Sequence, residues 1–184
     1  MCSSDLKRCD ETGTLLIFDE VQIGVGRSGW PFAANMYGVT PDMITTAKAL
    51  GNGFPCGALL MAPAVTAATK LEGLGTTFGG GPMACAVIEA VIDAIENENL
   101  LANVRRVSAL LRVRCTVGPV VGHQGAGFLH GLRVSRPAKE VQTALLARNI
   151  LTGTSGDPNV VRLLPPYTLA DEHVELLREA LQSL

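Results

Sequence analysis

The chain has 184 residues, of which 47% are hydrophobic and 17% are charged, and its formal net charge is −2. This composition is typical of a protein with a well-buried core and excludes an intrinsically disordered chain. The near-neutral charge balance gives no electrostatic reason to expect a nucleic acid or an anionic membrane surface as a partner.

The five cysteines are odd in number and show neither CxxC spacing nor the spacing of a zinc site. We therefore expect no disulfide framework and no metal site, and the pattern favours the reducing cytoplasm. The first 13 residues lack the apolar segment of a secretory signal peptide, and no apolar run is long enough to span a membrane. These features predict a soluble, cytoplasmic protein.

Three short apolar segments near the start of the chain predict β-strands, at residues 15–18, 42–46 and 57–61. Each segment is too short for a helix and is apolar on both faces, which is typical of strands in a covered, mostly parallel sheet. The glycines between these segments mark loops that approach another group closely.

The pattern changes at the glycine run that precedes Pro82. Proline suits the first position of a helix, and apolar residues then recur at helical spacing. We predict one long helix or a helix pair from Pro82 to about Arg114.

The last third of the chain predicts a smaller α/β lobe. Strands are expected at residues 127–134 and 160–164, with a helix from about Pro137 to about Arg148 between them.

A final helix is expected to begin at a capping-box-like pair formed by Thr168 and Asp171. It would turn Val174, Leu177 and Leu181 towards the core. The resulting division has three parts: residues 1–98 in a large domain, 99–115 in a connecting helix, and 116–184 in a small domain.

Asp19 directly follows the first predicted strand. A carboxylate at the carboxyl end of a strand lies at the mouth of an open α/β sheet, where ligands bind. The alternative is that Asp19 caps a turn or a helix. Gln22 either faces the same cavity or is an ordinary surface amide.

Lys48 stands in an apolar and glycine-rich segment, residues 44–53. Most lysines are solvated. A lysine buried among apolar residues loses its proton more readily and becomes a competent amine nucleophile. We therefore expect Lys48 to be buried and reactive.

Residues 24–29, Gly-Val-Gly-Arg-Ser-Gly, fit the GxGxxG pattern of dinucleotide-binding loops. That pattern needs a helix opening at its last glycines, but Trp30 and Pro31 follow instead. We set the nucleotide hypothesis aside and expect Arg27 to be structural or close to a cofactor loop.

Taken together, these segments resemble the class III aminotransferases, which are pyridoxal-phosphate enzymes of fold type I. The resemblance is carried, in the family's order and spacing, by Asp-Glu-Val-Gln at 19–22, Gly-Arg-Ser-Gly at 26–29, Pro-Asp-Met-Ile-Thr-Thr-Ala-Lys-Ala-Leu-Gly-Asn-Gly-Phe-Pro at 41–55, and Gly-Thr-Thr-Phe-Gly-Gly at 75–80. Among the subfamilies, the chain is most similar to acetylornithine/ornithine aminotransferases, whose C-terminal lobe is also similar to residues 159–166.

The resemblance implies an α/β fold, with part of a large domain that has a mostly parallel sheet, followed by a small C-terminal α/β domain. It also implies that Lys48 binds pyridoxal 5′-phosphate through a Schiff base and then moves the substrate proton. Asp19 would hold the pyridine nitrogen, and Gln22 would bind the ring's 3-oxygen. Thr77 would contact the cofactor phosphate, across the interface of a homodimer.

Arg162 would bind the substrate α-carboxylate. Its neighbours in sequence are valines and leucines, among which an unpaired cation is costly. A bidentate contact with a carboxylate would offset that cost. An internal salt bridge is the alternative.

The implied reaction moves an amino group from acetylornithine, or a related ω-amino donor, to 2-oxoglutarate, as in arginine biosynthesis. A sister activity on 4-aminobutyrate or ornithine is the first alternative. Because family members are roughly twice as long, the chain also resembles a C-terminal fragment, and a catalytically silent truncated protein is the second alternative. Leu74-Gly75 and Gly81-Pro82 depart from the family's usual His-Gly and Asn-Pro, which affects the expected positioning of the phosphate loop.

Overall fold

The computed structural model describes residues 3–70, 73, 75 and 80–184. The chain divides into two compact units. The first unit contains the residues up to Val25 and those from Trp30 to Ile95, and the second contains Gly26–Gly29 and Glu96–Leu184. Each unit is described by itself below.

The first unit contains a three-stranded sheet in the order β1-β2-β3. Its strands are β1 (Ile17–Asp19), β2 (Met43–Thr46) and β3 (Ala58–Met61). Its helices are α1 (Ser3–Thr12), α2 (Ala33–Tyr37), α3 (Pro63–Ala68) and α4 (Pro82–Asn97), with a 3₁₀ helix at Lys48–Gly51.

All three strands lie where the apolar segments predict them, but their pairing is mixed. β1 and β2 run parallel, with Asp19 opposite Thr45, whereas β2 and β3 run antiparallel. The expected burial on both faces is not met, because Ile17 is 53% exposed and Leu59 is 44% exposed. Within the described residues, this sheet therefore keeps part of its apolar surface open to solvent.

The long helical segment is a pair of helices, α4 and α5 (Leu100–Arg114). The break falls at Asn99, whose φ of 52° lies in the left-handed region. A residue in this conformation cannot continue a right-handed helix, and asparagine tolerates the conformation better than most residues.

The second unit has a four-stranded antiparallel sheet in the order β4-β5-β7-β6. Its strands are β4 (Val120–Ala126), β5 (Leu129–Val134), β6 (Gly153–Thr154) and β7 (Val160–Leu163). Besides α5, its helices are α6 (Ala138–Leu146) and α7 (Asp171–Gln182). Val104, Val107 and Leu111 of α5 belong to its hydrophobic core, so α5 packs as part of this unit.

The structure corrects the strand predicted at 127–134. Gly127 and Phe128 form the two-residue turn of a β-hairpin, with Ala126 paired to Leu129, and Gly127 has a φ of 51°. The first strand of this hairpin, β4, was missed because its Gly, His and Gln residues interrupt the apolar pattern. The two-residue strand β6 is too short to carry a pattern.

The final helix, α7, buries Val174, Leu177 and Leu181, as its spacing predicts. The predicted cap at Thr168 is wrong, because the helix begins later, at Asp171. Its first turn is closed instead by Nδ1 of His173, which accepts a 3.2 Å hydrogen bond from the Ala170 N–H.

Among the residues described by the structure, no helix combines the length and the hydropathy that a membrane span requires. The same residues contain no group of three or more His, Cys, Asp or Glu side chains arranged to hold a metal ion. The four described cysteines, Cys9, Cys56, Cys85 and Cys115, are free. Burial raises the pKa of Cys115 to about 12, which makes this core thiol unreactive at neutral pH.

Candidate active site

The parallel strands β1 and β2 bring Asp19 and Lys48 to the same edge of the sheet. Asp19 ends β1 and lies opposite Thr45 of β2, and Lys48 follows Thr45 by three residues. Because the carboxyl ends of parallel strands meet at one edge, the acid and the amine belong to one candidate site.

The Asp19 carboxylate is exposed and is oriented by two hydrogen bonds. Its Oδ1 accepts the Val21 N–H and the Thr45 hydroxyl, each at 3.1 Å. The contact with Val21 is the turn cap that the sequence offered as an alternative. Oδ2 has no hydrogen-bond partner within the described residues, so a capping role leaves half of the carboxylate available to a ligand.

Lys48 begins the 3₁₀ helix with a φ of 45°, in the left-handed region. Residues other than glycine rarely adopt this conformation, and such outliers concentrate at functional sites. The expected burial of Lys48 is wrong, because its side chain is exposed. Thr46, the last residue of β2, is 3% exposed, whereas the side chain of Lys48, at the start of the following 3₁₀ helix, is open to solvent.

The surroundings of Lys48 are packed, although its side chain is not. Leu50 and Gly51 are buried, and a Cβ at position 51 would lie only 2.5 Å from the Cys56 sulfur. Among the described residues, the Lys48 ammonium makes no hydrogen bond and no ion pair. The loop therefore holds the lysine backbone and leaves the amine accessible.

Gln22 lies three residues beyond Asp19, in the turns that follow β1, and its side chain is exposed. No hydrogen bond of its amide is found in the described part of the chain, so both interpretations of this residue remain open. Thr77 lies outside the described residues.

Glu20 supports the site, although the sequence does not suggest this role. It is 2% exposed, and its two carboxylate oxygens accept the Ala33 and Ala34 N–H groups at 2.6 and 2.8 Å. These are the otherwise unpaired donors at the start of α2. The contact spans 13 residues, so no local motif could have revealed it.

We expect Glu20→Ala to lower the free energy of unfolding by about 3 kcal/mol, because two buried N–H groups lose a charged acceptor. Urea unfolding followed by circular dichroism measures the effect. Glu89→Ala, at an exposed position of α4, is the matched control and should change stability by less than about 0.5 kcal/mol. Equal stabilities of the two variants would contradict the capping role.

The glycine-rich loop that fits GxGxxG is packed against protein, which agrees with setting the nucleotide hypothesis aside. Within the second unit, a Cβ at Gly26 would lie 3.0 Å from the Leu101 side chain, and one at Gly29 would lie 2.6 Å from that of Arg105. These two glycines are therefore needed for close packing of the loop on α5.

Arg27, between those glycines, has a structural role in the second unit. It donates a 2.7 Å hydrogen bond to the Pro165 carbonyl, and its guanidinium carbon lies 4.8 Å from the centroid of the Tyr167 ring. Burial raises the pKa of Tyr167, so this ring is neutral beside the cation. The contacts tie the loop to the segment that follows β7.

Arg162 lies on β7 in the second unit, between Val161 and Leu163, which are both buried in the core. Its Nε is buried without a hydrogen-bond partner. The described residues provide no ion pair for this guanidinium, so they do not contain the internal salt bridge considered as an alternative. Arg162 lines a cavity of about 570 Å³ together with Thr152, Gly153 and apolar side chains that include Leu164 and Leu176.

The family model for class III aminotransferases matches residues 5–184 of the chain. The acetylornithine aminotransferase of Streptomyces coelicolor is 44% identical over 178 residues, which cover 94% of this chain and 44% of that protein. Acetylornithine aminotransferase 1 of Bradyrhizobium diazoefficiens is 41% identical over 173 residues, covering 91% of this chain and 42% of its own length. The chain thus spans less than half the length of either of these two relatives.

Solved structures show the same relationship. The crystal structure of N-acetylornithine aminotransferase from Stenotrophomonas maltophilia superposes with a TM-score of 0.83 at 33% identity, over 96% of this chain and 48% of that one. Acetylornithine aminotransferase from Elizabethkingia anophelis gives a TM-score of 0.87 at 26% identity, over 98% and 51% of the two chains.

Proposed function

The chain belongs to the class III aminotransferase family, with the α/β architecture of fold type I, and we propose that it provides the lysine-bearing part of an aminotransferase. The proposed reaction transfers an amino group from acetylornithine, or a related ω-amino donor, to 2-oxoglutarate. The observation that carries this proposal is the shared sheet edge of Asp19 and Lys48. The names of the matching relatives support the choice of donor.

The residues at this edge fit pyridoxal 5′-phosphate. An exposed amine without a protein partner can react with an aldehyde, and a carboxylate with one unengaged oxygen can bind a protonated ring nitrogen. Lys48, Asp19 and Gln22 would hold the cofactor, together with Thr77 at its phosphate. When bound, this cofactor supplies an aldehyde and an electron-withdrawing ring.

Each of the site residues in the first unit then has a distinct role. Nζ of Lys48 would hold the cofactor and would carry the proton that leaves the substrate Cα. The Asp19 carboxylate would keep the ring nitrogen protonated through a charge-assisted hydrogen bond. Gln22 would donate its amide N–H to the ring's 3-oxygen.

In the second unit, Arg162 binds the α-carboxylate of the amino acid. Its place in the lining of the cavity and the absence of an ion pair in the described residues support this role. A carboxylate matches the fork of guanidinium donors, which accounts for an arginine rather than a lysine at this position.

We further propose a homodimer, in which Thr77 contacts the phosphate bound by the partner subunit, and a cytoplasmic location in arginine biosynthesis. The family supports the dimer. The free cysteines and their unpaired spacing support a reducing compartment.

Two alternatives to this proposal remain: a related activity and an inactive chain. The ornithine aminotransferase of Toxoplasma gondii is also structurally similar, with a TM-score of 0.86 at 28% identity over 99% of this chain and 46% of that one, which supports a sister activity on ornithine. A catalytically silent chain is also compatible with the coverage of less than half of these relatives.

Titration of the purified chain with pyridoxal phosphate distinguishes the active from the silent alternative. We expect a new absorbance band near the visible edge that reports lysine-bound cofactor, and its absence would favour the silent chain. Turnover with acetylornithine, ornithine and 4-aminobutyrate, each with 2-oxoglutarate, then identifies the donor. No transfer from any of these amines in the complete form of the protein would contradict the proposed reaction.

We expect Arg162→Ala to raise the KM for the amino acid by about tenfold to a hundredfold, because a charge-assisted contact with its carboxylate is lost. The change in kcat should be smaller. Initial rates at varied donor concentration measure both constants. Arg133→Ala, at an exposed position on the neighbouring strand β5, is the matched control. An unchanged KM in Arg162→Ala would contradict the carboxylate contact.

A further inference from the structure

Arg162 has a glycine opposite it on each neighbouring strand. Gly131 of β5 and Gly153 of β6 are its two register partners across the sheet. Directly opposite residues of antiparallel strands present their side chains on the same face. On the face of the sheet that carries the Arg162 side chain, neither residue directly opposite Arg162 has a side chain.

The space over the two glycines is used differently. A Cβ at Gly131 would lie 2.9 Å from both the Gln124 and the Val160 side chains, so that space is already filled. A Cβ at Gly153 would instead lie 3.3 Å from Nε and 3.4 Å from Nη2 of Arg162. The guanidinium thus packs closely over Gly153, so a side chain at this position would press against it.

This placement leads into the cavity of about 570 Å³ that Gly153, Arg162 and Thr152 line. The Arg162 Nε and the Thr152 Oγ1 are both buried there without hydrogen-bond partners. Buried polar groups are nearly always paired, and an unpaired one calls for an explanation such as a ligand. The terminal nitrogens of Arg162 make no hydrogen bond within the described residues, and a carboxylate in the cavity can accept hydrogen bonds from them.

We propose that Gly153 is a positioning residue, which determines substrate affinity by leaving room for the Arg162 guanidinium to lie over β6 and face the cavity. This inference rests on the proposed function of Arg162 in carboxylate binding. Gly153 would thus influence substrate binding although it has no side chain and belongs to no recognised sequence motif.

The inference predicts a loss of substrate affinity without a loss of stability. Glycine weakens a strand, alanine is less unfavourable there, and valine favours it, so neither substitution should destabilise an edge strand such as β6. Both would displace the guanidinium, and the branched side chain of valine would displace it further. If Gly153 served only the fold, the substitutions would lower the stability and leave the KM unchanged.

The test compares Gly153→Ala, Gly153→Val and the wild type in the complete form of the protein. We expect the KM for the amino acid to rise about threefold with alanine and about tenfold or more with valine. The kcat, the cofactor absorbance band and the melting temperature should stay close to the wild-type values. Gly156→Ala is the matched control, because a Cβ at this exposed loop position meets nothing within 4 Å.

A double-mutant cycle with Arg162→Ala separates the outcomes. The inference requires that Gly153→Val raise KM in the wild type and have no further effect when Arg162 is absent. If Arg162→Ala raises KM and Gly153→Val does not, the positioning role is wrong and the carboxylate contact stands. If Arg162→Ala leaves KM unchanged, the carboxylate contact fails and the inference fails with it. A lower melting temperature with parallel loss of the absorbance band in Gly153→Val would also overturn it.

Discussion

Replacing Lys48 with alanine is expected to abolish transamination and to remove the absorbance band of lysine-bound cofactor. Alanine has no amine, so the variant can neither bind the aldehyde covalently nor carry the substrate proton. Losing the proton transfer alone costs on the order of 10²- to 10⁴-fold in rate. Losing the covalent step as well should bring turnover below detection in a coupled assay for glutamate.

Two controls separate the amine from general effects of charge and of lysine content. Lys48→Arg retains the positive charge but not the nucleophile, and it should be as inactive as Lys48→Ala. Lys139→Ala removes an exposed lysine of α6, whose amine hydrogen-bonds only to Gln142 among the described residues, and should keep both the band and the turnover. Normal turnover in Lys48→Ala would overturn the assignment of the lysine.

Replacing Asp19 with alanine is expected to lower kcat by at least about 10²-fold, because the ring nitrogen loses the anion that keeps it protonated. The carboxylate is already oriented by Val21 and Thr45, so this stabilisation requires no reorganisation of the protein. Stopped-flow measurement of the half-reaction with the amino donor isolates the affected step.

Asp19→Asn is the most informative companion variant. Its amide oxygen can still accept the Val21 N–H and the Thr45 hydroxyl, so the local structure should persist while the negative charge is lost. We expect Asp19→Asn to be nearly as slow as Asp19→Ala. Asp10→Asn, at an exposed position of α1, controls for the loss of one charge. Wild-type kcat in Asp19→Asn would mean that the carboxylate only caps the turn.

The candidate site could be proposed from the sequence because the signals on which it depends are local. An apolar strand that ends at Asp19, and a second one that ends shortly before Lys48, are encoded in a few consecutive residues each. Parallel pairing then places both strand ends at one edge. The helices α5 and α7 were likewise predictable from their apolar spacing, since each buries one face at a period of about 3.6.

The environment of these residues was decided by the tertiary structure. The exposure of Lys48 depends on where β2 leaves the sheet, and the apolar letters around the lysine suggested the opposite. Glu20 beside Asp19 could have been another ligand-binding acid, but its contact with α2 makes it a helix cap. The loop at 26–29 has the spacing of a nucleotide site, and its glycines are explained by packing on α5.

The sequence by itself thus determined the family, most strand and helix positions, and the acid and amine at the candidate cofactor edge. Only the tertiary structure revealed the partners of Glu20, the strands β4 and β6, and the glycines on both sides of Arg162. The physical reason is the range of the interactions. Strand and helix patterns depend on neighbours a few residues apart, whereas Gly131, Gly153 and Arg162 meet only when three separate strands pair in register.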